Sequence, residues 1–209
     1  MSEQKPIFIT GIGTGIGKTI TSAVITEKLK ADYWKPIQSG DLDESDTLKV
    51  KSLISNTKTV FHPETYRLTQ PYSPHKSAAI DGVVIDINAF SIPQTDNTLI
   101  IEGAGGLMVP LNEHDLMIDL IKKLQAEVIL ISQNYLGSIN HTILSWKALQ
   151  QEKIPIKGII FNGETDVESE RYILQYTGLT LLGKVPQLQK IDKQAILDAG
   201  RLLAGLNLD

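Results

Sequence analysis

The sequence predicts an α/β fold: one domain over residues 1–209, built as a mostly parallel sheet flanked by helices. Three observations carry this expectation. Short apolar runs alternate with stretches of helical periodicity. The runs are apolar at consecutive positions, as strands buried on both faces of a parallel sheet require. The first run passes at once into a glycine-rich turn that opens a helix, Thr10-Gly11-Ile12-Gly13-Thr14-Gly15-Ile16-Gly17-Lys18-Thr19. A length of 209 residues suits one full core and not two.

In chain order, strands are expected over 7–10, 33–35, 99–102, 128–132, 158–161 and 181–185. Ile20, Ala23 and Val24 begin the apolar face of the first helix. A short helix over 47–55 follows, with Ser45 or Asp46 as its cap. Residues 55–91, with Pro63, Pro71, Pro74 and nearby Pro93, read as an excursion of mixed short elements that covers the site. Met117, Leu120, Ile121 and Leu124 share one helical face, and Ile139, Ile143 and Trp146 another. Ala195, Ala199, Leu202 and Leu206 mark the last. In such sheets ligands bind beyond the carboxyl ends of the strands, so the residue after each strand is the informative one.

Composition narrows the function. Acidic residues number 24 against 20 basic ones, scattered along the chain. Neither nucleic acid nor a membrane surface is expected as the main partner. There is no cysteine, which excludes disulfides, zinc thiolate sites and thiol catalysis. The polar N-terminus and strand-length apolar runs lead us to expect a cytoplasmic protein with no spanning segment. His62, His75, His114 and His141 show no ligand spacing.

The glycine-rich turn gathers backbone N–H groups, a helix N-terminus and a lysine, which suits phosphate. The usual P-loop has glycine five positions before Gly17; Ile12 stands there, and Gly11 lies one residue further out. The chemistry tolerates the shift. Gly13, Gly15, Ile16 and Gly17 offer backbone to a nucleotide, Lys18 can reach its β- and γ-phosphates, and the Thr19 hydroxyl can bind Mg²⁺. The expected architecture is therefore P-loop NTPase-like.

Three strand ends and one helix start carry further candidates. Lys35 either faces the ligand crevice or is a solvated lysine beside a turn, and its segment alone favours the second. Asp46 is a possible metal ligand or an acid at a helix start. Glu102 ends a hydrophobic strand before Gly103-Ala104-Gly105-Gly106, where P-loop proteins hold Mg²⁺. Asn162 precedes Gly163, as a turn former or a contact to a nucleotide base. Gly163, Glu164 and Thr165 follow it in place of the Lys-x-Asp of a guanine-reading signature, which weakens a GTPase reading.

These segments occur in one order: the loop, Lys35-Pro36-Ile37-Gln38-Ser39-Gly40, Ser45-Asp46, Glu102-Gly103-Ala104-Gly105-Gly106 with Pro110-Leu111, Leu136-Gly137-Ser138-Ile139-Asn140-His141, and the Asn162 strand end. In this the chain resembles the dethiobiotin synthetases over about residues 7–186. The resemblance implies ATP- and Mg²⁺-dependent ring closure of 7,8-diaminononanoate with CO₂, through a carbamate and a carbamic–phosphoric anhydride. It implies Thr14, Lys18 and Lys35 as catalytic residues, and Thr14, Lys35 and Ser39 around the diamine. Thr19, Asp46 and Glu102 would hold metal. The base of ATP would lie near Asn162 and residues 183–186, including Pro186. The family works as a homodimer, so Gly137, Ser138, Ile139 and Asn140, with Tyr172, would meet substrate bound to the other subunit. The chain departs from the family at Gly13, where an acidic residue is usual. A partition-type dimeric ATPase switch is the rival reading. It lacks its signature lysine, whose position is also Gly13.

Overall fold

We describe residues 5–206 in a computed structural model of the chain. The elements run β1 (Ile7–Gly11), α1 (Lys18–Leu29), β2 (Asp32–Trp34), β3 (Ile37–Ser39), α2 (Asp46–Leu53), β4 (Phe61–His62), β5 (Tyr66–Leu68) and α3 (Pro74–Ile80). They continue β6 (Leu99–Gly106), α4 (Met117–Lys123), β7 (Glu127–Gln133), α5 (Ser138–Gln151), β8 (Ile156–Asn162), α6 (Val167–Thr177), β9 (Leu181–Val185) and α7 (Lys193–Arg201). Seven strands form one parallel sheet in the order β4-β2-β6-β1-β7-β8-β9, and β3 pairs with β5 in a separate two-stranded sheet.

Strand alternation explains the layers. Ile7 and Ile9 of β1 point to one face and join Ala23, Val24, Val50, Leu53, Ile196 and Leu203 from α1, α2, α7 and the turn after it. Phe8 points to the other and joins Met117, Leu120 and Ile121 of α4. Both neighbours of β1 are later strands, β6 and β7. The chain leaves β1 toward β2 and later returns across it to β7, so the order in which strands are added reverses at β1 and opens a crevice at its carboxyl end. Among the described residues, no helix is long and apolar enough to cross a membrane.

Four expectations shift. The short helix is Asp46–Leu53, with Ser45 as its cap: the Leu48 N–H donates to Ser45 Oγ at 3.3 Å. β6 runs on through its glycines to Gly106, which lies against Gly11. The inward face of α5 is Ser138, Thr142 and Leu149, while Ile139, Ile143 and Trp146 are only half-buried. Small polar residues let α5 settle closely on β7, where Ser132 Oγ and Thr142 Oγ1 are 2.9 Å apart. At the C-terminus the buried set is Ile196, Ala199, Leu203 and Leu206, and Leu202 is exposed. The helix ends at Arg201, so the helical period no longer applies beyond it. The following turn folds over β9 instead, and the Gly205 N–H donates to Leu182 O at 3.0 Å.

Candidate active site

The crevice at the end of β1 and β6 is a cavity of about 590 Å³. Thr14, Lys18, Thr19, Lys35, Asp46 and Glu102 all line it, with Gly15, Gly17 and Ser39. Residues 71–74 of the excursion supply part of the wall, as the sequence suggests.

The loop is shaped by glycines. Gly15 (φ 75°) and Gly17 (φ 84°) are left-handed, and Gly17 caps α1, so Lys18 is the first helical residue. Lys18 Nζ donates to Gly13 O at 2.8 Å. Burial lowers the Lys18 pKa to about 8, with the charges of Glu102 and Asp46 opposing that and Lys35 adding to it. A Cβ built on Gly13 meets no atom within 4 Å, so the departure from an acid there is not steric.

Lys35 is buried, which overturns the solvated reading of its segment. Its Nζ lies 2.6 Å from Asp46 Oδ2 and 3.1 Å from Glu102 Oε1, and it donates to Gly103 O at 3.2 Å. Burial alone would lower its pKa, but the Glu102 and Asp46 carboxylates outweigh burial and raise it. Burial acts to raise the Asp46 pKa, yet Lys35 and the Thr19 hydroxyl hold it below the ordinary carboxylate value. The cation is therefore kept, and with it the carboxylate of Asp46. Ser45 does the capping of α2, so the Asp46 side chain is free to face the cavity.

Thr19 Oγ1 is 2.7 Å from Asp46 Oδ1 and 2.9 Å from Glu102 Oε1. Neighbouring oxygens of an octahedron with Mg²⁺-length bonds are about 3 Å apart. One hydroxyl and two carboxylates at this spacing fit Mg²⁺. Two supporting residues escaped the sequence reading. Tyr33 OH donates to Glu102 Oε2 at 2.9 Å, and burial followed by the Glu102 and Asp46 charges raises the Tyr33 pKa well above its ordinary value, keeping it a donor. The Asp46 N–H donates to Gln38 Oε1 at 3.2 Å, while Gln38 Nε2 donates to Gly40 O at 2.9 Å. The available signal for Tyr33 was its i, i+2 relation to Lys35 at the end of β2.

Other expected residues lie elsewhere. Ile16 is buried beneath the loop, and Asn162 Nδ2 donates to its carbonyl at 2.9 Å. One of the two Nδ2 hydrogens of Asn162 is thus committed to the loop. Pro186 lies beside Gly163 along a second cavity of about 480 Å³. Gly137, Ser138, Ile139 and Asn140 at the start of α5 are not among the cavity's lining residues, nor is Tyr172 on α6. Tyr172 is half-exposed and stacks on Tyr176, with ring centroids 6.0 Å apart.

A family model described as an AAA domain matches residues 5–195. Curated relatives named ATP-dependent dethiobiotin synthetase BioD match nearly the full length. The one from Cytophaga hutchinsonii is 49% identical, covering 92% of this chain and 94% of the relative. The one from Christiangramia forsetii is 50% identical, covering 93% and 90%. The one from Brucella anthropi is 42% identical, covering 98% and 97%.

The chain belongs to the dethiobiotin synthetase family.

Solved structures extend the likeness of this dethiobiotin synthetase family member at the level of fold alone. A chain of the MinC:MinD cell division protein complex of Aquifex aeolicus has a TM-score of 0.58 at 15% identity, covering 99% of this chain and 98% of that one. A ParA family ATPase from Chlorobium tepidum has a TM-score of 0.55 at 14% identity, covering 96% and 99%. The P-loop NTPase-like α/β fold expected from the sequence is the one found.

Proposed function

We propose that the protein is an ATP-dependent cyclo-ligase of biotin biosynthesis, closing the ureido ring of dethiobiotin from 7,8-diaminononanoate and CO₂. The observation that carries this is Lys35, buried and charged between Asp46 and Glu102 beside the phosphate loop's own Lys18. Two anions must meet in this reaction, and two lysines line the place where they would meet.

The neutral amine of the diamine adds to CO₂, giving a carbamate and releasing a proton. A carbamate oxygen attacks the γ-phosphorus of ATP, giving the carbamic–phosphoric anhydride and ADP. The second amine attacks the carbonyl carbon and gives up a proton, the ring closes, and phosphate leaves. Thr14 and Ser39 would orient the carbamate: Thr14 is exposed at the cavity, and Ser39 Oγ is enclosed with no hydrogen-bond partner among the described residues. Lys18 and Lys35 would stabilise the charge that builds on the transferring phosphoryl group. Thr19, Asp46 and Glu102 would hold Mg²⁺, which when bound offsets phosphate charge. Gly13, Gly15, Ile16 and Gly17 would supply backbone to the phosphates, with the base toward Asn162 and Pro186.

A homodimer completes the proposal. The start of α5, residues 137–140, and Tyr172 would reach substrate held by the partner, with the helix N-terminus receiving its carboxylate. Tyr135, Leu136, Leu144, Tyr172 and Tyr176 leave apolar surface exposed on these segments. We place the enzyme in the cytoplasm.

The test is ADP release with and without diamine and bicarbonate. Turnover should require both. Turnover indifferent to the diamine would favour an ATPase switch of the kind whose fold the chain shares. A second measurement bears on the metal. Glu102→Gln should raise the Mg²⁺ concentration for half-maximal turnover by about an order of magnitude, because it removes a hard anionic ligand at constant size. An unchanged Mg²⁺ curve would exclude Glu102 as a ligand.

A further inference from the structure

Asn162 grips the phosphate loop from 146 positions further along the chain, through its bond to the Ile16 carbonyl. The fit is close. A Cβ on Gly17 would lie 2.2 Å from Asn162 Nδ2 and 2.8 Å from Cγ. Residue 17 must therefore be glycine for Asn162 as well as for its left-handed backbone. Ile16 is also held from its other end. Its side chain is buried and packs where a Cβ on Gly11 would fall, 2.2 Å from Ile16 Cδ1. The anchor is rigid, because Asn162 is paired within the sheet to Gln133 and to Val185.

The consequence follows from peptide geometry. The unit joining Ile16 to Gly17 is planar and trans, so its C=O and N–H point in opposite directions. Holding the Ile16 carbonyl toward Asn162 turns the Gly17 N–H away from it, and Gly17 lines the cavity. The geometry points to Asn162 as a positioning residue of the phosphate cradle, one that presets the backbone of residues 16–18 for the nucleotide's phosphates. This rests on the phosphate reading of the loop and adds to it. A residue that the sequence places at the base acts here on the opposite end of the nucleotide. Asn162 Oδ1 remains available to accept from adenine's amino group.

Inorganic tripolyphosphate separates the two roles, because it carries the phosphates and no base. The measurement is its inhibition constant against ATP for the full-length protein with Mg²⁺, in wild type, Asn162→Ala and Asn162→Asp. Both variants should weaken tripolyphosphate about tenfold, as loss of one well-placed hydrogen bond implies. The KM for ATP should rise as well, and kcat should fall. The KM for the diamine should stay within about twofold, which general damage to the fold would not allow. The Asp variant keeps the side-chain volume and carries the comparison if the Ala variant fails to fold. Tripolyphosphate inhibition within about twofold of wild type overturns the positioning role, whether or not the KM for ATP changes. A wild-type protein that tripolyphosphate does not inhibit would instead overturn the phosphate reading of the loop.

Discussion

Lys18→Ala should reduce turnover on the order of 10²-fold or more, while the unfolding temperature stays close to that of the wild type. The side chain is 8% exposed and its ammonium has a single described hydrogen bond, to Gly13 O at 2.8 Å. A buried cation so sparsely partnered costs desolvation in the folded protein, so its removal does not cost core stability. What disappears is charge at the phosphates. The same residue predicts a proton linkage. With its pKa lowered to about 8 by burial, Lys18 is partly neutral in the empty site at pH 8. Bound phosphates favour the charged form, so nucleotide binding there should take up a fraction of a proton. At pH 6.5 the lysine is already charged, and the uptake should vanish. Calorimetry in buffers of different ionisation enthalpy reads this directly. A folded Lys18→Ala protein with near-normal turnover would remove the lysine from the reaction.

Subunit mixing should restore activity from two inactive proteins. If each site borrows the start of α5 from its partner, one chain can carry Lys18→Ala and the other an obstruction on α5. Ser138 is an unsuitable place for the obstruction, since it packs inward and is 1% exposed. Asn140, exposed in the first turn of α5, is the better position, and Asn140→Trp places bulk outside the core. Each homodimer is then inactive. A heterodimer holds one site with both defects and one with neither, so about half of the wild-type activity should return per heterodimer. Heterodimers verified by sequential purification on two tags, yet inactive, would show that the site lies within one chain.

The sequence made the sheet legible because buried parallel strands are written as consecutive apolar residues. Ile7-Phe8-Ile9 and Leu99-Ile100-Ile101 read as strands for that reason, and they are strands. The glycine-rich turn into α1 and the place of Glu102 in β6 were equally plain, since glycine and acid directly after such runs are local signals. Lys35 was harder. Nothing in its own segment says that Asp46 and Glu102 will converge on it, because that meeting is made by the pairing of β2 with β6 and by the cap of α2. Tyr33 was missed for the same reason, since its partner Glu102 is distant in the chain. Gln38 was missed although its partners, Gly40 and Asp46, are near, because an amide beside a turn carries no residue-type signal of its own. The inward face of α5 misled because Ser138 and Thr142 are polar, and periodicity is read from apolar residues. Leu202 misled because the helix stops one residue before it.

The turn that follows α7 has a bearing on self-association. β9 is the outermost strand on its side, and a bare outer strand offers unpaired amides to any other chain. Here Gly205 donates to Leu182 O, and Gly183 lies so close to residues 202 and 203 that a Cβ there would fall 2.4 Å from Leu202 O. The margin is thereby blunted by the protein's own backbone. Two polypeptides could not join edge to edge at β9 without first peeling this turn away. Strand addition at β9 is therefore disfavoured as a route to self-association.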